Sequence, residues 1–334
     1  MAVIWIMLTL FLSTQSAWAD AEVRPASSVP SIPQRDLPGF GSLGNLGLQR
    51  VSAATLNYGG WLTPQQDPTD IEQQRLTLQM PVFLHEKDSL SLSAGGTSLH
   101  FGQEQFLSSG VAVPVDLWKA EVGGAYSRQL NDQDSFGVRL SVGSASDHPF
   151  SDFDVTTISV LGTYTWPSSE RSRWTLSLMY SNNNPIANGI PIPGFIYTFQ
   201  SKTFLGMFGL PFTAMVWMPE KDWMLSFSFF GPTINSEIAY GDPRGVQIFT
   251  GWSWAQQSFL RESRPDPKDR MYFVEMHSPI GVRFPVAKNL KSELSVGYSF
   301  DRAVYEGTHF TQADDGRVNL GASWYGAWNL RIEM

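Results

Sequence analysis

The chain has 334 residues, a formal net charge of −8, and 42% hydrophobic, 13% aromatic and only 16% charged residues. So few charges fit an ordinary cytosolic enzyme poorly, while the apolar content excludes global disorder. The acidic balance offers no footprint for nucleic acid. The absence of cysteine excludes disulfides, thiolate metal sites and cysteine nucleophiles.

Ala2 to Leu12 are apolar apart from Thr9, and Ala17-Trp18-Ala19 follows shortly after. An apolar core of this length before an A-x-A site reads as a signal peptide over residues 1–19, cut before Asp20. It is shorter than the about 20 apolar residues of a membrane-spanning helix. Residues 20–49, with Pro25, Pro30, Pro33 and Pro38, hold too little apolar material to fold alone. They read as a periplasmic linker, with a short plug as the alternative. The folded domain is expected over residues 50–334.

Beyond the linker the dominant pattern has period two, the mark of strands with two unlike faces. Leu76, Leu78, Met80, Val82 and Leu84 share one face, opposed by Arg75, Thr77 and Gln79. The same contrast recurs in Trp118–Tyr126, Phe136–Val142, Trp174–Tyr180 and Leu294–Phe300, and again in Val318, Leu320, Ala322 and Trp324. A soluble sandwich would turn the apolar face inward; an outer-membrane barrel turns it toward lipid.

Two features favour the barrel. Trp166 and Trp174 flank one turn and Trp217 and Trp223 another, while Tyr180, Tyr298 and Phe300 fall at the opposite strand ends, as girdles at the two membrane interfaces would. Short connections such as His85–Asp88, Asn131–Asp134, Pro167–Ser172 and Pro285–Asn289 alternate with longer ones such as Gly102–Val115, Ser181–Gly194 and Asp301–Gly316. Phe230–Thr233 is a tight turn where a long loop is due. The fold expected is an all-β, transmembrane, antiparallel up-and-down β-barrel of about 14 strands, with 12 as the runner-up. Thr203–Pro219 carries no charge, but Gly206, Gly209 and Pro211 argue against a helix. It reads as an apolar external segment, folding inward as a constriction, that leads into a strand at Phe212–Met218. Trp324, Trp328, Leu330, Ile332 and Met334 share the parity of a lipid-facing closing strand.

Four segments carry a family likeness: Val115-Asp116-Leu117-Trp118, Gly143-Ser144-Ala145-Ser146-Asp147-His148-Pro149-Phe150, Ile190-Pro191-Ile192-Pro193-Gly194-Phe195 and Gly209-Leu210-Pro211-Phe212. Through them the chain resembles an uncharacterised family of bacterial outer-membrane β-barrel proteins, defined only as a domain of unknown function. The likeness covers about residues 50–334. It implies a fold and a place in the bacterial outer membrane, and neither an activity nor site residues.

By parity the inward charges are Arg75, Lys119, Glu121, Arg139, Arg173, Glu275, Lys291, Glu293, Arg317, Arg331 and Glu333, with His277 beside Glu275. Such mixed signs either pair across a narrow interior and close it or line water in a wider one. Ser295, reached across the Pro285–Asn289 hairpin, would complete a Ser, His and Glu set with His277 and Glu275, although no nucleophile motif surrounds it. Asp147, His148, Asp152 and Asp154 form the densest group of hard ligands, but their spacing matches no calcium motif and suits a solvated loop. No catalytic residue, metal or cofactor is therefore assigned. The functions left open are a passive or gated pore for small solutes, a closed structural or surface-interaction barrel and, third, a membrane-embedded hydrolase using His277. The partners implied are outer-membrane lipid, the barrel assembly machinery and small solutes.

Overall fold

The computed structural model describes residues 51–334 apart from 65–69, 132, 185–188, 265, 312, 314 and 315, so the signal and linker expectations for 1–19 and 20–49 lie outside the described residues. The first half contains β1 (Thr55–Leu62), β2 (Ile71–Leu84), β3 (Asp88–Phe101), the two-residue β4 (Gln105–Phe106) and β5 (Ala112–Val113), β6 (Asp116–Gln129), β7 (Ser135–Ser146), β8 (Thr156–Ser169) and β9 (Ser172–Ser181). The second contains β10 (Ile192–Gln200), β11 (Phe204–Leu210), β12 (Phe212–Trp217), β13 (Trp223–Phe230), β14 (Thr233–Gly241), β15 (Gln247–Phe259), β16 (Arg270–Ala287), β17 (Leu290–Gly307), β18 (Val318–Asn319) and β19 (Ser323–Glu333).

Each wall strand pairs antiparallel with its neighbours, and β19 closes the ring on β1 from Thr55↔Glu333 to Leu62↔Gly326. Of the 17 strands in this sheet, β18 is only a flap on β17, so the wall has 16. The expected 14, or 12, is corrected here. The missing pair is β10 and β11: the strand expected at Phe212–Met218 is present as β12, and β11 forms a wall hairpin with it where an inward-folding constriction was expected. Both faces of this hairpin are apolar, so it carries no alternation: Leu205, Met207, Ala214 and Val216 are buried, while Phe208, Met215 and Trp217 are exposed. With its two extra turns the short–long parity of the loops holds around the ring, apart from the tight turns at Pro211 and at Gly231–Pro232.

The outward face is apolar and open. Val122, Leu140, Ile248 and Val296 are each more than half exposed, as residues facing lipid would be. Trp166, Trp174, Trp217 and Trp223 all point outward at the short-turn end, where Trp174 stacks on Phe195 at 4.5 Å and Trp223 meets Tyr240 at 5.0 Å. Tyr180, Tyr298 and Phe300 lie toward the long-loop end, with Tyr298 5.4 Å from Trp324.

Three bulges at the short-turn end each follow a proline: Pro81-Val82, Pro167-Ser168 and Pro285-Val286. Proline cannot donate to the ladder, so an extra residue is accommodated there at little loss. The first bulge reverses the expected parity, so Phe83 faces outward beside Leu90 while Leu84 pairs with the buried Ser89. At the β14–β15 turn only glycine serves at position 241. Its φ is +123°, and a Cβ would lie 2.3 Å from the Val246 carbonyl oxygen.

Leu140, midway along β7, offers a test of the outward face. Leu140→Arg is expected to destabilise the barrel in lipid vesicles by about 2–4 kcal/mol in a denaturant titration. Thr157→Arg, on the inward face of β8, is expected to lose far less.

A candidate functional site in the lumen

The long-loop end of the barrel is drawn shut along a diameter. Counting round the ring from β7 through β6, β3, β2, β1, β19, β17 and β16, β15 is the eighth strand of 16. The two are therefore opposite one another, yet Ser146 of β7 forms a bridge with Leu260, just past β15. The Leu260 amide donates to the Ala145 carbonyl at 2.7 Å, and the Glu262 amide donates to Asp147 Oδ1 at 2.9 Å. Arg264 donates to the Asp154 carbonyl at 2.8 Å. The Asp147 carboxylate also accepts from Ser146 and from the His148 amide. The acidic loop thus works as a clasp across the mouth, and among the described residues no group of three His, Cys, Asp or Glu could hold a metal ion.

Under the clasp lies an apolar stopper. Ile71, Leu99, Phe101, Leu117, Met271 and Phe273 all point inward and are at most 2% exposed. Phe101 of β3 meets Phe273 of β16 edge-on at 5.8 Å, across five places of the ring. The β4–β5 hairpin between β3 and β6 folds onto this cluster through Leu107 and Val113. Leu320 joins it from the other side, which corrects the expectation that Val318 and Leu320 continue an outward face. Arg302 holds this crossing in place by donating to the Leu320 and Gly321 carbonyls, each at 3.0 Å. Arg261 and Glu306, both about nine-tenths buried, pair at 3.0 Å beside it.

The floor of the stopper is polar and aromatic. His277 Nε2 lies 2.7 Å from Glu275 Oε2, and the imidazole is wedged between Trp61 at 5.1 Å and Tyr325 at 4.6 Å. The Tyr325 ring lies over Gly297, where a Cβ would come within 2.6 Å of it, so glycine is what admits the ring. Gln257 donates to Gln73 Oε1 at 2.6 Å, tying β15 to β2 across the interior. The expected set with Ser295 is not assembled, because Ser295 pairs with Gly281, four residues along β16 from His277. The residue facing His277 is Ser299, which is 0% exposed and out of reach of any substrate. Opposite Glu275, β17 carries an extra residue at Asp301, whose φ is +50°. That bulge sets the Ser299 register apart from the Val304 register above it.

Beneath the floor, polar and charged inward side chains are accessible to solvent. Arg75, Lys119 and Asn329 point inward and are nevertheless exposed. Arg173 is likewise inward and exposed at the short-turn rim. Glu121 pairs with Arg139 at 3.1 Å and Arg331 with Glu333 at 2.9 Å. Lys291 and Glu293 also face in, and Arg283 bridges Glu293 and Glu237 while its guanidinium sits 4.1 Å over the Phe249 ring. The sequence reading missed Arg283 and Glu237, although both fall on the inward parity of their strands. Arg317 is a correction: it precedes the two-residue β18 and pairs with Asp301 at 2.5 Å among the long loops, so it does not line a wall strand.

No family model matches the chain, and no curated protein matches it. Similar solved structures include the KdgM porin, at 8% identity and TM-score 0.30, covering 84% of this chain and 99% of that one. The CymD monoaromatic hydrocarbon channel is 8% identical at TM-score 0.37, covering 88% and 92%. A Pseudomonas aeruginosa FadL homologue is 10% identical at TM-score 0.35, covering 84% and 89%.

The stopper accounts for a defined share of stability. Phe273→Ala is expected to lower unfolding free energy by roughly 3–5 kcal/mol, read by denaturant titration. Val246→Ala, at an exposed turn, should stay within about 0.5 kcal/mol of the parent.

Proposed function

We propose that the chain is a passive, gated pore for small solutes in the bacterial outer membrane. The observation that carries this reading is a solvent-accessible, charge-lined lumen that ends abruptly beneath an apolar stopper and a clasped mouth. Sixteen strands is the size at which barrels enclose an aqueous channel. The apolar outward face belongs against lipid, with the Trp and Tyr rings as its two girdles, which puts the short turns in the periplasm and the long loops outside. The assembly machinery would receive β19, whose Trp324, Trp328, Leu330 and Ile332 share the lipid side. The stopper acts as a gate by excluding water, a barrier that falls when its packing loosens. Among the described residues the serine facing His277, Ser299, is fully buried.

A closed structural barrel is the second reading, favoured by the near-complete burial of the stopper. Conductance in a planar bilayer separates the two. The intact barrel is expected to give small, infrequent steps. Replacing residues 103–114 by a short Gly-Ser connection, which removes Leu107 and Val113 from the stopper, should make the steps larger or more frequent. Silence from both proteins, each shown to be folded by heat-modifiable migration on gels, would establish the closed barrel instead.

A further inference from the structure

Three inward cations of this barrel are held directly by a carboxylate: Arg139 by Glu121, Arg283 by Glu237 and Glu293, and Arg331 by Glu333. Arg75 and Lys119 are different. Neither has an ion pair or hydrogen bond among the described residues, and both are exposed within the lumen. They flank Thr97 in one row, since Arg75 pairs with Thr97 on one side and Lys119 with Thr97 on the other. Two strand spacings put their backbones roughly 10 Å apart, close enough for two long side chains to reach one small ligand. Each lies within electrostatic reach of the other. The carboxylates nearest them are engaged elsewhere, Glu121 with Arg139 and Glu275 with His277. The pair also sits directly beneath the stopper, two residues along the strand from Gln73 and from Leu117.

We propose that Arg75 and Lys119, with the Thr97 hydroxyl between them, form a binding point for a small solute carrying an oxyanion, a carboxylate or a phosphate. Among the described residues neither cation is bonded to a carboxylate, and an anion placed between them adds the direct partner that Glu121 and Glu275 supply only at a distance. The planar fork of Arg75 suits two oxygens of one group, and Lys119 supplies a second, mobile point charge. Its position makes it the last stop before the gate for a solute entering from the short-turn end. The proposal rests on the pore reading only in requiring a lumen open at that end, and it does not require conduction.

The test uses the full-length barrel in detergent, titrated calorimetrically with inorganic phosphate and, separately, with acetate. Saturable binding of at least one is expected, weakened tenfold or more in the Arg75→Gln, Lys119→Gln double variant. The Lys221→Gln variant, altered at a short turn, should match the parent. Unchanged affinity in a double variant that migrates as a folded barrel would overturn the proposal, as would the absence of saturable binding to the parent. In bilayers, the double variant should lose preference for chloride over potassium by reversal potential. Binding without any conductance would remove the pore reading and leave this site standing. Conductance with unchanged ion preference would remove the site and leave the pore.

Discussion

Two strands that stand opposite each other on a ring of 16 meet at the long-loop end, through Ser146 and Leu260. A barrel of this size would ordinarily enclose water along its whole length. Joining β7 to β15 flattens the mouth and brings the inward faces of β3 and β16 into contact distance, as Phe101 and Phe273 demonstrate. Once those faces touch, apolar side chains are favoured on them. Each such residue fully removed from water contributes roughly 1.5–3 kcal/mol. The burial of Ile71, Leu99 and Met271 is thus a consequence of the clasp as much as its support.

Below that level the chemistry changes within a few residues. Ile71 is packed, Gln73 is bonded across the interior, and Arg75 stands in solvent, all on one face of β2. At about 3.3 Å per residue the whole transition occupies roughly 13 Å. Braces such as Arg283 with Glu237 and Glu293 run along the wall, from β14 to β17. The lumen therefore has two materials in series, an apolar plug and a charged vestibule. The Glu275 and His277 pair marks their boundary.

The alternation of unlike faces made the barrel legible in the sequence, because lipid and lumen impose opposite demands on neighbouring residues. Arg75, Lys119, Glu121 and Arg139 could be placed inward on that basis alone. Where both faces are apolar the rule is blind. That is why β11 was read as a constriction leading into β12, and β10 and β11 went uncounted. The stopper escaped for the same reason, since Met271-Tyr272-Phe273-Val274 reads as a run without period, buried inside by one parity and under the long loops by the other. The bulge at Val286 shifts the β16–β17 register by one residue, and neither Ser295 nor Ser299 could be matched to His277 without it. Arg283 lay in an otherwise apolar stretch, Ile280 to Phe284, and its carboxylate partners, on adjacent β17 and on β14 two strands away, become visible only once the pairing is known.

The wall is not of even height. β16 and β17 have 18 residues each, while β11 has 7 and β12 has 6. Six residues rise only about 20 Å along the strand, and less across a bilayer once tilted, against an apolar band of about 25 Å. Lipid beside β11 and β12 must therefore thin or sink its headgroups, at a fraction of a kcal/mol for each ångström of mismatch. The deformation is confined to one flank, where Leu210 and Phe208 face outward. In a bilayer the barrel would therefore dent the leaflet on that flank. A second protein that tolerates thin membrane would be drawn to that flank by elasticity alone, without any complementary surface.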